Sequence, residues 1–254
     1  MKPYLLAETN WKDVKNRKFE IAVLPWGATE AHNYHLPYAT DNIQVSNIAE
    51  KAGKLAWDKG AKVIVLPNIP YGVNTGQADI LLDMNINPST QHIILRDLIQ
   101  VLNRQEIRKL LVINGHGGNN FKPILRELGL EFPDMILALC NWFGIAKREI
   151  SFREDGDHAD EMETSLMMYL KPELVLPLSE AGDGKEKKSV ITGIREGWAW
   201  SERKWSEVTT DTGIGNPKNS TPEKGEEIFN LVTNKIAILI SELAEMDPKN
   251  QYRE

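Results

Sequence analysis

Residues 21–41 read IAVLPWGATEAHNYHLPYATD, and this stretch decides the expected fold. It opens with an apolar run that ends in a Trp-Gly pair, as expected for a short strand buried on both faces. Three more runs of this kind follow, KVIVLPNIP at 62–70, KLLVING at 109–115 and MILALCNW at 135–142. We therefore expect four buried strands.

Segments with helical periodicity separate these strands. Apolar residues recur every three or four positions over 45–58 and over 89–104, and a shorter helix is predicted over 121–130. Strands that alternate with helices pair in parallel and carry the helices on both faces. The predicted fold class is therefore α/β, with a mostly parallel central sheet.

The last third of the chain combines two predicted helices with a long irregular region. Helices are expected over 160–169 and after Thr221, which offers an N-cap followed by a proline. Residues 179–220 favour a functional loop or a subunit contact. In the absence of repeats or a linker-like segment, we predict one domain over 1–254. The irregular region also carries three tryptophans that suit core packing, a subunit interface or a pocket: Trp198, Trp200 and Trp205.

Charge and cysteine content narrow the function classes. The formal net charge is −6 and no basic block occurs, so a nucleic-acid partner is not expected. The single cysteine, Cys140, lies in the fourth apolar run, which favours a cytoplasmic location and a buried thiol rather than a nucleophile. No apolar window approaches the roughly 20 residues of a membrane span, so no membrane partner is expected.

Polar residues cluster after three of the predicted strands. Parallel strands end at the same edge of a sheet, and ligands of open α/β sheets collect beyond that edge. Four of the five histidines fall there. The residues concerned are Glu30, His32, His35 and Asp41 after the first strand, His116 after the third, and Asp155, Asp157, His158, Asp160, Glu161 and Glu163 after the fourth.

Mixed histidine and carboxylate ligands are typical of Zn²⁺, Mn²⁺ or Fe²⁺ sites. Because the chain has no usable thiolate, an open catalytic site is favoured over a structural zinc site. A carboxylate such as Asp41 can bridge two cations about 3.5–4 Å apart, which bind and deprotonate a shared water. A hydrogen-bonded structural role is the alternative for each residue. The loop 114–120 also suits a tight turn or an anion nest, and His35 suits a hydrogen-bond partner of a ligand.

Four motifs follow one another along the chain. A Pro-x-Gly turn leads into Glu-x-His, His-Leu-Pro and Asp over 25–41, and Asn-Gly-His-Gly-Gly-Asn occupies 114–119. His-Ala and Glu-Thr-Ser occupy 158–165, and Gly-x-Gly-Asn-Pro with Glu-Lys-Gly occupies 213–225. In this order they resemble the creatininase (creatinine amidohydrolase) family along almost the whole chain.

The resemblance implies a three-layer α/β/α fold, a dinuclear metal site and a homo-oligomer, commonly a hexamer. Carried over by position, Glu30 and His116 hold one metal ion, His32 holds the other, and Asp41 bridges both. The expected cofactors are two divalent ions, zinc first, with manganese or iron as alternatives.

The chain departs from the creatinine-hydrolysing members at one ligand position. They carry an acidic ligand two residues after the Asn-Gly-His histidine, where this chain has Gly118. The resemblance makes Glu163 the replacement, as ligand and catalytic group; a helix carboxylate in a hydrogen-bond network is the alternative. His158 is the expected proton donor to the leaving group, unless it caps the next helix or orients a ligand.

The implied reaction is attack by a metal-bridging hydroxide on the carbonyl of a small polar, cyclic substrate. An amide C–N bond is favoured, although Gly118 argues against creatinine itself. Hydrolytic C–C opening of a cyclic ketone such as a keto-inositol (dehydro-inosose) is one alternative, and a catalytically silent small-molecule binding protein is another. Residues expected to contact the substrate, unless they are ordinary surface residues, are Tyr34, Asn74, Gln77 and Asp157.

Overall fold

The structure, a computed structural model, describes residues 2–154, 156–247 and 252, so Asp155, one of the polar residues that follow the fourth predicted strand, lies outside the described residues. Its described part contains the strands β1 (Ile21–Trp26), β2 (Val63–Val65), β3 (Lys109–Asn114) and β4 (Ile136–Asn141). They form one sheet in the order β2-β1-β3-β4, and every neighbouring pair is parallel. The predicted α/β class with a mostly parallel sheet is confirmed.

Strand β2 is shorter than the apolar run that predicted it. The run continues to residue 70, but Pro67 and Pro70 have no N–H group to donate to a neighbouring strand. The chain nevertheless stays beside β1, because the backbone N–H of Ile69 donates to the carbonyl oxygen of Pro25 at 3.1 Å. This extended segment leads from the sheet to its carboxyl edge.

Helices account for most of the remaining regular structure. The longer helices are α2 (Thr40–Asp58), α3 (Pro88–Arg104), α4 (Phe121–Glu131), α5 (Trp142–Glu149), α6 (Glu161–Leu170) and α9 (Pro222–Glu245), and the single-turn helices are α1 (Trp11–Val14), α7 (Thr192–Arg195) and α8 (Trp205–Val208). Helix α2 begins at Thr40, earlier than predicted, which places Asp41 in its first turn. Helix α3 begins at Pro88, because proline fits the first turn of a helix.

The two faces of the sheet carry separate hydrophobic cores. Side chains of a strand point alternately to opposite faces, and in β1 both sets are buried. Ile21 and Val23 pack with α2, α6 and α9, whereas Leu24 and Trp26 pack with α3 and α4. Burial on both faces explains why the strands read as continuous apolar runs, and it gives three layers.

The predicted irregular region crosses the carboxyl edge of the sheet. We call residues 182–215 the strap; in the described chain its α-helical structure is limited to α7 and α8. Backbone hydrogen bonds fasten its far end, where the N–H of Asp157 donates to Ile214 at 2.9 Å and the N–H of Ile214 donates to His158 at 2.8 Å. The strap is thereby tied to the loop that precedes α6.

Two expectations about burial can be compared with the structure. Cys140 lies partly buried in β4, and burial raises the pKa of its thiol to about 11, which keeps it protonated at neutral pH. Among the helices of the described residues, none combines the length and apolar character that a membrane crossing needs.

Candidate metal centre

The first loop above the sheet supplies three of the predicted ligands. Glu30 and His32 follow β1 closely, and α2 begins soon enough to bring Asp41 to the same place. The loop reverses at Asn33, whose φ of 54° lies in the left-handed region that asparagine tolerates. The backbone N–H of Glu30 then donates to Tyr38 at 3.1 Å and closes the loop.

His116 and Glu163 reach the same point from the other segments. The turn after β3 is held by Asn114, whose Oδ1 accepts a hydrogen bond from the backbone N–H of His116 at 3.1 Å. Glu163 lies in the first turn of α6, where Asp160 caps the helix and accepts from the N–H groups of Met162 and Glu163 at 3.0 Å. The structure brings the five predicted ligands together, and all five side chains are buried.

The two carboxylate oxygens of Asp41 face two different histidines. Oδ1 lies 3.1 Å from Nε2 of His32, and Oδ2 lies 3.1 Å from Nδ1 of His116. A carboxylate with one oxygen directed to each of two ligand groups has the arrangement of a bridging ligand.

The remaining carboxylates complete two ligand sets that share Asp41. Oε1 of Glu30 lies 2.7 Å from Nδ1 of His116, and Oε2 of Glu163 lies 3.9 Å from Nε2 of His32. Glu30, Asp41 and His116 form one set, and His32, Asp41 and Glu163 form the other; within each, the ligand atoms lie within 4.8 Å of one another. A third group of the same kind joins Glu30, His32 and His158.

In each ligand histidine, one ring nitrogen faces a main-chain carbonyl oxygen, and this contact determines the tautomer of the neutral ring. Nδ1 of His32 lies 3.1 Å from the carbonyl oxygen of Glu30, and Nε2 of His116 lies 3.0 Å from that of Val73. A carbonyl oxygen can only accept, so these nitrogens carry the hydrogen in the neutral ring. The opposite nitrogens therefore direct lone pairs at carboxylate oxygens.

Such an arrangement requires a cation between the facing groups. Glu30 Oε1 and Asp41 Oδ2 are buried and have no hydrogen-bond partner among the described residues. Lone pairs on nitrogen and oxygen repel unless a proton or a metal ion lies between them. The residues present therefore fit a pair of divalent cations, in agreement with the donor types that zinc and manganese prefer.

The pKa values of these groups also indicate that a positive charge is favoured between them. Burial disfavours the charged form of His32, but the charge of Asp41 and its hydrogen bond outweigh this effect and raise the pKa of His32 to about 10. Burial likewise raises the pKa of Glu163 to about 8. Protons thus compete for the positions that a metal would take, and metal binding would release them.

Gly118 cannot be replaced by an acidic ligand on this backbone. A Cβ atom at this position would collide with the carbonyl oxygen of Val73 and with the imidazole of His116. The chain therefore packs tightly at Gly118, and Glu163 belongs with His32 and Asp41 to a group that could hold a metal ion.

His158 lies above the cluster with one nitrogen directed to it. Its Nε2 is 2.7 Å from the carbonyl oxygen of Ala31, and its Nδ1 is 3.9 Å from Oε1 of Glu30. Burial and the nearby charge of His32 lower its pKa, which favours the neutral ring. The cap of α6 is Asp160, so the alternative role of His158 as helix cap is not observed.

Polar neighbours hold the cluster in place. Gln77 donates through Nε2 to Oε2 of Glu30, and Oδ1 of Asp83 accepts from the N–H of Ala31 at 2.6 Å. His35, expected as a partner of a ligand, forms a hydrogen bond through Nε2 with Thr164 at 2.9 Å, next to Glu163 rather than with a ligand side chain.

A cavity of about 570 Å³ opens above the cluster. Three of the four predicted substrate contacts line it, namely Asn74, Gln77 and Asp157. Tyr34 is not among the described lining residues: its ring is exposed, and its hydroxyl donates to Thr210 at 2.9 Å. The left-handed turn at Asn33 directs Tyr34 to the strap, away from the cavity.

The cavity also contains residues that sequence patterns did not single out. Asn141 closes β4 at the carboxyl edge, and the rule that ligands collect there would have found it. Arg203 reaches the cavity from the strap, next to Trp200 and Trp205, two of the three tryptophans for which a pocket was one expected location. For Arg203 no sequence signal exists, because its position depends on how an irregular segment folds over the sheet.

Fold and cluster together place the chain in the class of three-layer α/β proteins with a candidate dinuclear metal centre. The sequence model of one protein family, creatininase, described as creatinine amidohydrolase, matches residues 7–240 of the chain. The chain belongs to the creatininase family, whose members are metal-dependent hydrolases.

Individual relatives within the family have different substrates. The chain is 25% identical to the mycofactocin precursor peptide peptidase of Mycobacterium ulcerans, over 82% of this chain and 79% of that protein. It is 26% identical to the 3-dehydro-scyllo-inosose hydrolase of Thermotoga maritima, over 65% of this chain and 55% of that protein. The similarities therefore support hydrolase chemistry and leave the substrate open.

Solved structures agree with the fold. A crystal structure from Bacteroides fragilis, provisionally described as a creatinine amidohydrolase, shares 42% identity and a TM-score of 0.91 over the full length of both chains. Creatininases described as a manganese form and a Zn–Zn form share 23% and 22% identity, with TM-scores of 0.77 and 0.78; each covers at least 96% of this chain and 99% of that one. At that identity they support the fold alone.

Proposed function

We propose that the protein is a hydrolase that uses two divalent metal ions to cleave a bond at the carbonyl carbon of a small polar substrate. The observation that carries the proposal is the arrangement of Asp41, whose two oxygens face His32 and His116 at 3.1 Å each. Glu30 and Glu163 complete the two ligand sets.

When bound, the two ions would supply an activated water and an electrophile for the substrate oxygen. We propose zinc or manganese, because histidine and carboxylate donors suit both ions. The creatininases with a Zn–Zn and a manganese form support this choice.

The chain's own side chains would position the substrate and move the proton. Asn74 and Gln77 lie in the cavity wall beside Glu30, where amide groups suit a polar substrate. Nε2 of His158 is held by Ala31, so Nδ1 is the nitrogen that can exchange a proton. We assign to it the transfer of the proton released by the attacking water to the leaving atom. Glu163 lies in the wall of the same cavity.

Two kinds of bond remain as candidates. Hydrolysis of an amide C–N bond is favoured by the family description and by the peptidase relative. Hydrolytic C–C opening of a cyclic ketone is supported by the inosose hydrolase relative and by the amide-bearing cavity wall. Attack of water on a carbonyl carbon is common to both reactions.

A parallel assay of the metal-loaded protein tests the proposal. Cyclic amides, formamides, short peptides and inososes would be incubated with the zinc and manganese forms, and products followed by mass spectrometry. Turnover of one class that disappears with a chelator and returns with metal supports the proposal. Inactivity on all four classes with two metal ions bound would contradict it and favour the silent binding protein.

A further inference from the structure

Trp205 of the strap lies directly against His158. The ring centroids are 4.8 Å apart at an interplanar angle of 65°, which is an edge contact. The opposite neighbour of the His158 ring is His32, with centroids 4.1 Å apart. Trp205 itself is buried, although it belongs to a segment with two exposed tryptophans. The imidazole of His158 is thus enclosed between a ligand of the metal cluster and an indole from the strap.

Arg203 holds the indole in place from the outer side. Its guanidinium carbon is 4.8 Å from the centroid of the Trp205 ring, within the range of a cation–π contact. Its Nη1 is 3.1 Å from Oδ2 of Asp157 and 3.7 Å from Oε1 of Glu186. Because Asp157 precedes His158 in the chain, the arginine ties the indole to the same loop that carries the imidazole.

The other end of the segment is fixed on the opposite side of the cavity. A Cβ atom at Gly76 would collide with the carbonyl oxygen of Arg203 and come within 3.2 Å of Cδ1 of Trp205. The hydroxyl of Ser206 donates to Asp79. Residues 202–206 therefore bridge the turn that carries Gln77 and the loop that carries His158.

We propose that Trp205 is a positioning residue that keeps Nδ1 of His158 directed at the cluster; the proposal rests on the proposed role of His158. Among the described residues, the ring forms one hydrogen bond, from Nε2 to the carbonyl oxygen of Ala31. Its other nitrogen can still move away from Glu30, which is 3.9 Å distant. Packing by Trp205 and His32 restricts this movement, and preorganised proton transfer depends on such restriction.

The alternative is that Trp205 forms only a wall for the substrate. A wall contributes to substrate binding and therefore changes KM, whereas a positioning residue changes kcat. The two roles also differ without any substrate, because only the positioning role predicts a change in the hydrogen bond between His158 and Ala31.

Nuclear magnetic resonance of the zinc-loaded protein labelled with ¹⁵N-histidine tests this directly. The Nε2–H signal of His158, assigned by its absence in His158→Asn, is expected to exchange slowly in the wild type. It should be lost or exchange at least about tenfold faster in Trp205→Ala and remain in Trp205→Phe, which keeps a ring in the same place. The matched control is Trp198→Ala, an exposed tryptophan of the strap outside the cavity lining. An unchanged signal in Trp205→Ala would overturn the proposal.

Kinetics on whichever carbonyl substrate is turned over give the second measurement. Trp205→Ala should lower kcat about 10–100-fold with KM changed less than about threefold, and Trp205→Phe should recover most of the rate. Metal content and thermal stability of each variant are measured alongside. A raised KM with unchanged kcat, or loss of metal that accounts for the inactivity, would contradict positioning. If the wild type turns over nothing, the proposed function fails, while the NMR comparison still decides the role of Trp205.

Discussion

The candidate metal centre and the strap lie on opposite sides of one cavity and are built in different ways. Ligands of the cluster come from the ends of β1 and β3 and from the first turns of α2 and α6, and every ligand is buried. The strap has only two single-turn helices in its described residues, and it exposes Trp198 and Trp200. One wall of the cavity is therefore set by the sheet, and the other by an irregular segment.

The difference indicates that the two regions have different roles. Groups that must meet within hydrogen-bond distance are placed on regular elements, where backbone hydrogen bonds and packing limit their movement. Groups that form the outer wall lie on a segment that can vary in sequence without disturbing the sheet. We therefore expect substitutions in the cluster to affect metal binding and activity far more than substitutions of exposed strap residues.

Removal of Asp41 should produce the largest effect. Asp41→Ala takes one oxygen from each ligand set, so metal content should fall from about two equivalents to less than one, with activity reduced at least about 1,000-fold. Elemental analysis of purified protein measures the first quantity. Asp97→Asn, at an exposed carboxylate on α3, is the control and should keep both ions. Two retained equivalents in Asp41→Ala would disprove the bridging role.

Glu163→Gln separates the two ligand sets. Glu163 belongs to the set with His32, so the variant should keep about one equivalent on the Glu30 and His116 side and lose the other. The matched control is Glu161→Gln, a buried carboxylate of the same helix that pairs with Lys224. It should lose stability but keep both ions. Equal metal content in both variants would remove Glu163 from the ligands.

Gly118→Ala tests the tight packing under His116. The new Cβ atom would meet the Val73 carbonyl oxygen and the His116 ring, so we expect a loss of about 2–3 kcal/mol in the free energy of unfolding. Urea denaturation measures it. At Gly117 a Cβ atom meets no described atom within 4 Å, and Gly117→Ala should change stability by less than about 0.5 kcal/mol. Similar values for the two variants would contradict the steric explanation.

His35 should make the free energy of unfolding sensitive to acid. Burial lowers its pKa to about 4, below its ordinary value near 6.5, so the unfolded chain takes up a proton there before the folded one does. The stability that depends on neutral His35 is fully present above pH 6.5 and is lost as the pH falls toward 4. Between pH 7 and pH 5, protonation at His35 should lower the free energy of unfolding by about 1–2 kcal/mol. His35→Gln should remove this part of the pH dependence in urea titrations; an identical dependence would contradict it.

The smallest effect is expected in the strap. Trp198 is exposed, and its indole N–H donates to Glu196, which is close in sequence. Trp198→Ala should therefore change the free energy of unfolding by about 0.5 kcal/mol or less and leave metal content unchanged. A loss above about 2 kcal/mol would show that the strap is as strongly constrained as the cluster and would contradict the proposed difference between them.

Much of the fold could be predicted from the sequence, because its strands are buried on both faces. The runs that became β1, β3 and β4 were bounded within one or two residues, and Thr221 caps α9 as expected. The start of α2 was missed by five positions, since its first turn carries the polar residues Thr40, Asp41 and Asn42. The single domain and the homo-oligomer stay predictions.

The candidate site could be predicted only where it follows the ends of strands. That rule and the family motifs placed Glu30, His32, Asp41 and His116 together, and the structure brings them within reach of one another. Tyr34 was expected to contact the substrate, but the left-handed residue before it directs its ring to the strap. The contact of Trp205 with His158 joins distant parts of the chain, and no local pattern encodes it.

The histidines of the site share a feature that bears on how such proteins diversify. His32, His116 and His158 each engage a main-chain carbonyl oxygen, at Glu30, Val73 and Ala31 respectively. A carbonyl persists whatever side chain its residue carries. Neighbouring positions can therefore exchange side chains over evolutionary time without releasing a ligand. Relatives that share about a quarter of their residues with this chain are named for a peptide precursor and for an inosose, a diversity of substrates that this tolerance permits.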